Sequence, residues 1–187
     1  MPIDRRELLK LAALGMSPLG MAALSAGAAA QASPATPPPA PARASKPLDI
    51  LILGGTGLTG PHQVRYALAR GHRITIFNRG RKQPEWSSQV EQLLGDRDKN
   101  DYASLAEAVA KGRRWDVCID NPSSVPAWIR DAAQVLKGRV GSYMMISSLS
   151  AYAENATRGQ DETAALAAFE GDPLKETMAS LRADMGK

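Results

Sequence analysis

LILGGTGLTG, residues 51–60, decides how this chain folds. The stretch completes an apolar strand, DILIL, and passes without a spacer into a glycine-dense turn that opens an amphipathic helix. A strand, a glycine turn and a helix N-terminus aim backbone N–H groups and the positive end of the helix dipole at one spot, which suits a pyrophosphate. The spacing fits two patterns. Gly55, Gly57 and Gly60 satisfy GxGxxG, while Gly54, Gly57 and Gly60 satisfy GxxGxxG. In such a motif one glycine makes the tight turn, one lets phosphates approach the backbone, and one lets helix and strand pack closely. Strand-to-helix turns also use glycine for steric reasons alone, so context carries the reading. A strand-like run precedes this turn, and a helix over residues 61–70 follows, with Val64, Ala67 and Leu68 on one face and Gly71 as its stop. On that context the motif reads as a dinucleotide site, with Gly54, Gly55, Thr56, Gly57, Leu58, Thr59 and Gly60 as candidate cofactor contacts.

Outward from the turn, strands and helices alternate. RITIFN, residues 73–78, is a β-branched and aromatic strand, and residues 90–94 make a short third one. A helix over residues 101–111 carries Leu105, Ala108 and Val109 on one face, and WDVCID, residues 115–120, is apolar enough for a central strand. Pro126 opens a further helix, with Trp128, Ile129, Ala132, Ala133 and Leu136 expected inward and Gly138 as its stop, before a fifth strand over residues 142–146. The alternation predicts a doubly wound, mostly parallel α/β sheet of Rossmann type in the order 3-2-1-4-5. Ligands of such sheets lie beyond the carboxyl ends of the strands.

After the second strand, an NAD site usually offers an acidic residue to the ribose 2′-OH. This chain offers Asn78, Arg79, Gly80, Arg81 and Lys82 instead. Basic side chains there suit a 2′-phosphate, so NADP is preferred over NAD, with Asn78 and Arg79 as candidate contacts. Surface arginines can equally be solvated, and that alternative stays open.

The chain opens with Arg5 and Arg6, then Lys10 and a Leu, Ala and Met run that ends in small residues around Gln31. DRRELLK, residues 4–10, is similar to the twin-arginine export consensus, which implies residues 1–32 as a signal peptide, the twin-arginine machinery as partner and a periplasmic or otherwise exported destination. An ordinary secretory signal or an uncleaved anchor is the alternative. Ser, Gly and Pro within the run argue against a stable membrane span after cleavage. Residues 33–46, SPATPPPAPARASK, read as an extended linker, leaving residues 47–187 for the folded domain. A net charge of +4 with both signs mixed throughout gives no nucleic-acid footprint. Cys118 is the one cysteine and sits in a strand, so an inert buried thiol is expected. His62 and His72 have no companions at metal-site spacing and read as solvated or capping residues.

In this order, GGTGLTG, FNRG, GDRD, WDVCID and ISSLSAY resemble the NAD-dependent epimerase/dehydratase family of extended or atypical short-chain dehydrogenase/reductases, from residue 46 to about residue 152. The resemblance implies an oxidoreductase, epimerase or dehydratase acting on a sugar-like or other hydroxyl-bearing small molecule. It gives Asp96 a place beside the adenine ring. It also implies that Ser148, four residues before Tyr152, is the active-site serine whose hydroxyl holds the substrate oxygen. Taken without the resemblance, Ser147, Ser148 and Ser150 read as a polar strand end that caps its own backbone.

One departure is large. Catalytic members use a Tyr-x-x-x-Lys pair after the fifth strand, spaced so that the lysine shares the tyrosine's helical face and helps lower a phenol pKa of about 10. No YxxxK occurs in this chain, and Ala156 stands four residues after Tyr152. Residues 172–185, DPLKETMASLRADM, read as one or more helices leading up to where that pair would begin. The expectation is a truncated or fragmentary chain whose C-terminal part, with the sixth strand and the substrate pocket, is missing. The alternative is a non-catalytic NADP(H)-binding module with a sensing or scaffolding role.

Overall fold

The computed structural model describes residues 40–121 and 124–185. The signal peptide expected over residues 1–32, and the first part of the linker, lie outside the described residues. From Ala40 the chain runs without regular structure to Leu48, fixed on the way by Ala44 N–H donating to the Arg70 carbonyl. Leu48 N–H donates to His72 Nδ1 at 3.0 Å, so His72 ties down the strand entry, whereas His62 is exposed.

Five parallel strands follow: β1 (Asp49–Leu53), β2 (Arg73–Asn78), β3 (Glu91–Leu94), β4 (Trp115–Asp120) and β5 (Val140–Met145). They lie in the order β3-β2-β1-β4-β5, the order the sequence predicts. β1 is central because its alternating residues enter two different cores, which needs the continuous apolar run seen in DILIL. Leu51 and Leu53 face one cluster with Phe77, Leu105, Cys118, Ala132 and Leu136. Ile50 and Ile52 face the other with Val64, Ala67, Ile74, Ile76 and Trp86. Each large aliphatic side chain so enclosed contributes about 1.5–3 kcal/mol relative to exposure.

The helices that cover these faces are α1 (Gly60–Ala69), α2 (Ala103–Ala110) and α3 (Pro126–Val135), with α4 (Met178–Met185) near the end of the chain. The second helix starts two residues later than expected because Asp101 stays outside it and accepts from Ala103 N–H at 3.2 Å. In α3 the expected inward face is narrower than the sequence predicts. Ala132 is buried and Leu136 follows the helix into the core, Trp128 and Ile129 are half-buried, and Ala133 is exposed. The fifth strand begins at Val140 rather than residue 142, and residues 172–185 divide into a short 3-10 turn at Pro173–Lys175 and α4.

The backbone ladder continues one residue past four strands. Gly54 N–H donates to the Phe77 carbonyl at 2.8 Å, Gly95 N–H to Asn78 at 3.0 Å, Asn121 N–H to Leu53 at 3.3 Å and Ile146 N–H to Asp120 at 2.9 Å. No helix among the described residues is long and apolar enough to cross a membrane.

Candidate functional site

A cleft of about 510 Å³ opens above the carboxyl ends of β1 to β4. Its floor is the glycine turn, residues 54–60, where Gly54 and Gly55 hold the left-handed φ values of 97° and 79° that glycine tolerates. Gly60 is fixed by contact: a Cβ there would come within 2.6 Å of Gly55 Cα, so only glycine lets the first residue of α1 lie on the turn. Gly57 is different. A Cβ on Gly57 meets nothing within 4 Å and its φ demands no glycine, so the protein itself gives no reason for a bare backbone there.

The N-terminus of α1 faces the same space. Thr59 makes no side-chain cap, and the first turn carries no acidic residue, so the helix end keeps its positive pole for a ligand. Thr56 and Thr59 line the cleft, as does Leu58, which is 93% exposed at its mouth.

The second wall comes from the β2 end. Asn78 is a joint rather than a free contact: it donates to the Gly54 carbonyl at 3.2 Å and accepts from Gly80 N–H and Gln92 Nε2, both at 2.8 Å. Arg79 lines the cleft half-exposed, with Nη1 3.8 Å from Asp98. Lys82 reaches across to the Thr56 carbonyl at 3.4 Å.

The third wall follows β3. Asp96 lines the cleft, and its carboxylate accepts from Asp98 N–H at 3.2 Å, closing the 3-10 turn Arg97–Lys99. Beneath it lies a network that sequence reasoning missed. Arg97 donates from both terminal nitrogens to the fully buried carboxylate of Asp120, at 2.5 and 2.9 Å. Tyr143 of β5 donates to the same carboxylate at 2.6 Å. Burial lowers the Arg97 pKa, but the bonds and charge of Asp120 outweigh it, so the guanidinium stays a cation. Burial, then the bond to Asp120, pushes the Tyr143 phenol up, and burial pushes the Cys118 thiol up beside it. Cys118 is buried, as expected. The signal for the network was present in the sequence: a strand that ends in Asp120 inside an apolar run needs a buried cation, and GDRD supplies one.

Ser148 stands apart from these walls. It is exposed, it does not line the cleft, and its Oγ accepts from Ser150 N–H at 3.2 Å and from Ser150 Oγ at 2.9 Å. Tyr152 N–H bonds back to the Leu149 carbonyl, and Tyr152 bridges to Leu166. Among the described residues no group of three His, Cys, Asp or Glu side chains could hold a metal ion.

The chain belongs to the NAD dependent epimerase/dehydratase family, whose model matches residues 50–169. Solved structures share the fold. The Bordetella bronchiseptica enzyme WbmG, in complex with NAD and UDP, superposes with a TM-score of 0.51 at 16% identity, over 66% of this chain and 45% of that one. A UDP-glucose 4-epimerase gives 0.51 at 16% identity, over 74% and 46%. Epimerase Mth375 from Methanothermobacter thermautotrophicus gives 0.50 at 18% identity, over 63% and 40%. This chain therefore spans less than half the length of each. No curated protein matches it.

Proposed function

We propose that this chain binds a nicotinamide dinucleotide along residues 54–60, 78–82 and 95–98, as the cofactor half of an epimerase/dehydratase-like oxidoreductase for a sugar-like or other hydroxyl-bearing small molecule. The observation that carries the reading is Gly57, which nothing in the protein requires to be glycine and which faces the cleft between two glycines that the fold does require. The glycine turn and the uncapped end of α1 would hold the pyrophosphate. Arg79, Arg81 and Lys82 favour a 2′-phosphate, hence NADP over NAD, since no acidic side chain follows β2 to accept from a 2′-hydroxyl. When bound, the nicotinamide would accept or return a hydride. This chain's own residues would bind it, orient it and, through Ser148, hold a substrate oxygen. The DRRELLK signal supports export of the folded chain by the twin-arginine route, with a periplasmic destination.

A second reading has its own support. Ser148 already accepts two hydrogen bonds from Ser150 and lies off the cleft, which favours a binding module that holds NADP(H) without turnover.

Gly57→Ala tests the binding role they share. We expect its melting temperature to match wild type, because the Cβ enters open space, while affinity for NADPH falls at least about tenfold through lost phosphate approach. Unchanged NADPH affinity in a folded Gly57→Ala protein would remove the main support for the reading. A NADH affinity equal to or above that for NADPH would remove the NADP preference alone.

A further inference from the structure

Charges of both signs mix along the sequence, but the fold sorts them in space. The strands run parallel, so their amino ends share one edge, and α1, α2 and α3 each end there before β2, β4 and β5 begin. The carboxylates of this edge are mostly matched. Arg73 donates to Asp49 at 2.6 and 2.7 Å, Arg113 to Glu91 at 2.9 Å, and Lys111 pairs with Glu107 at 2.7 Å. Cations are left over. Among the described residues Arg43, Lys46, Lys137 and Arg139 have no carboxylate in ion-pair contact, Arg70 bonds to the Tyr66 hydroxyl, and Arg114 bonds to the Gly138 carbonyl. The opposing charge is smaller. Asp116, which accepts from Asp49 N–H at 2.8 Å, supplies one negative group, and each helix C-terminus adds about half a charge, so the edge keeps a positive excess. A cavity of about 330 Å³ opens in it, lined by Arg114 and Arg139 together with Asp49 and Asp116. The chain also enters the fold here, where Ala44 N–H donates to the Arg70 carbonyl at 2.9 Å.

We propose that the amino edge of the sheet is a docking face for an anionic lipid bilayer. The inference does not depend on the dinucleotide reading. Unpaired lysines and arginines spread along one edge are attracted to anionic headgroups, each adding to the affinity within a Debye length of the surface. Two features favour a bilayer over a nucleic acid. Bases need open aromatic rings to stack on, whereas Trp115 is buried here and the Tyr66 ring lies under Arg70, 5.7 Å from its centroid. The linker that follows the expected export signal also enters the fold at this edge, and a signal delivered to a membrane tethers this edge to it. Docking in this way leaves the cleft free, because the cleft opens at the carboxyl ends of the same strands. It also turns outward the acidic stretch after β5, with Glu154, Asp161, Glu162, Glu170, Asp172 and Glu176.

Both cores lie within residues 48–143, so residues 40–187 form a folding unit that can be tested without the apolar export run. Cosedimentation is measured with vesicles of phosphatidylcholine alone and of phosphatidylcholine mixed equally with phosphatidylglycerol. We expect binding to the mixed vesicles only, weakening as salt is raised. Arg114→Glu/Lys137→Glu should bind them at least about tenfold more weakly. Arg158→Glu/Lys175→Glu makes the same change in net charge beyond β5 and should stay within about twofold of wild type. A folded edge variant that binds as wild type does overturns the proposal, as does an equal loss in the two variants or equal binding to the two kinds of vesicle. Should the edge variant fail to fold, Arg43→Glu/Lys46→Glu, in the irregular entry segment, carries the same expectation and the same power to overturn it. Tighter binding to single-stranded DNA than to the mixed vesicles would assign the edge to nucleic acid and overturn the bilayer.

Discussion

β1 and β5 lie two places apart in one sheet and are built to different rules. β1 buries four of its five residues, whereas β5 has none fully buried and leaves Met144 and Met145 52% and 46% exposed. β1 pairs on both sides and feeds both cores. β5 pairs only with β4, and gives Val140 and Tyr143 to one core and nothing to the other among the described residues. The turn after β1 therefore stands on a fully enclosed base, and the serines after β5 stand on a base enclosed from one face. Burial is concentrated under the glycine turn, and the Ser148 segment is held by its own local bonds and by the short bridge between Tyr152 and Leu166.

Tests of that contrast run outward from the network that ties β5 to β4 and to the turn after β3. Asp120→Ala strands the Arg97 cation in a site where its side chain is only 7% exposed, and should cost about 3–5 kcal/mol in a denaturant titration. A loss below about 1 kcal/mol would mean that the two ends of the sheet are not coupled through this carboxylate.

Tyr143→Phe keeps the ring and removes one donor to the same charge, and should cost about 1.5–3 kcal/mol at neutral pH. The sign of its pH dependence is fixed. The folded phenol has a pKa above the unfolded value of about 10, so its contribution is complete below pH 10 and declines as pH rises through and beyond that value. The stability gap between wild type and Tyr143→Phe should narrow in alkaline melts. A constant gap up to pH 11 would show that the phenol ionises as freely folded as unfolded.

Ser148→Ala should have the smallest effect. Affinity for NADPH should change by less than about twofold, because the hydroxyl lies outside the cleft. A larger loss would bring the β5 region into the nucleotide site and erase the contrast.

The fold was legible because apolar runs of strand length alternate with helical faces at crossover spacing, and the glycine turn sets the register of the first crossover. The burial of single residues was less so. Ala133 fits the helical period of α3 yet is exposed, because periodicity names a face and the neighbours decide its width. Among site residues, the glycines, Asn78, Arg79 and Asp96 all line one cleft. The Asn78 amide also bonds to Gly54, Gly80 and Gln92, since a group with both a donor and an acceptor is drawn to backbone groups at a strand end. For the Arg97–Asp120 pair the sequence offered a hint, an acidic end to an apolar strand, but which cation answers it depends on the ends of β3 and β4 meeting in space.

The hydrogen bonds that continue past the strands have a dynamic consequence. Gly54, Gly95, Asn121 and Ile146 each donate into the neighbouring strand. The first residue of each of these four loops is thus part of the sheet's cooperative unit rather than of the loop it begins. Local unfolding that would release the nucleotide turn must first break bonds internal to the sheet, so this turn belongs to the slow end of the molecule's opening motions. A protein whose cofactor turn shares the fate of its central strand has little room to close around a nucleotide by hinging there. Any adaptation to a ligand has to come from the side chains and from the loop after β2.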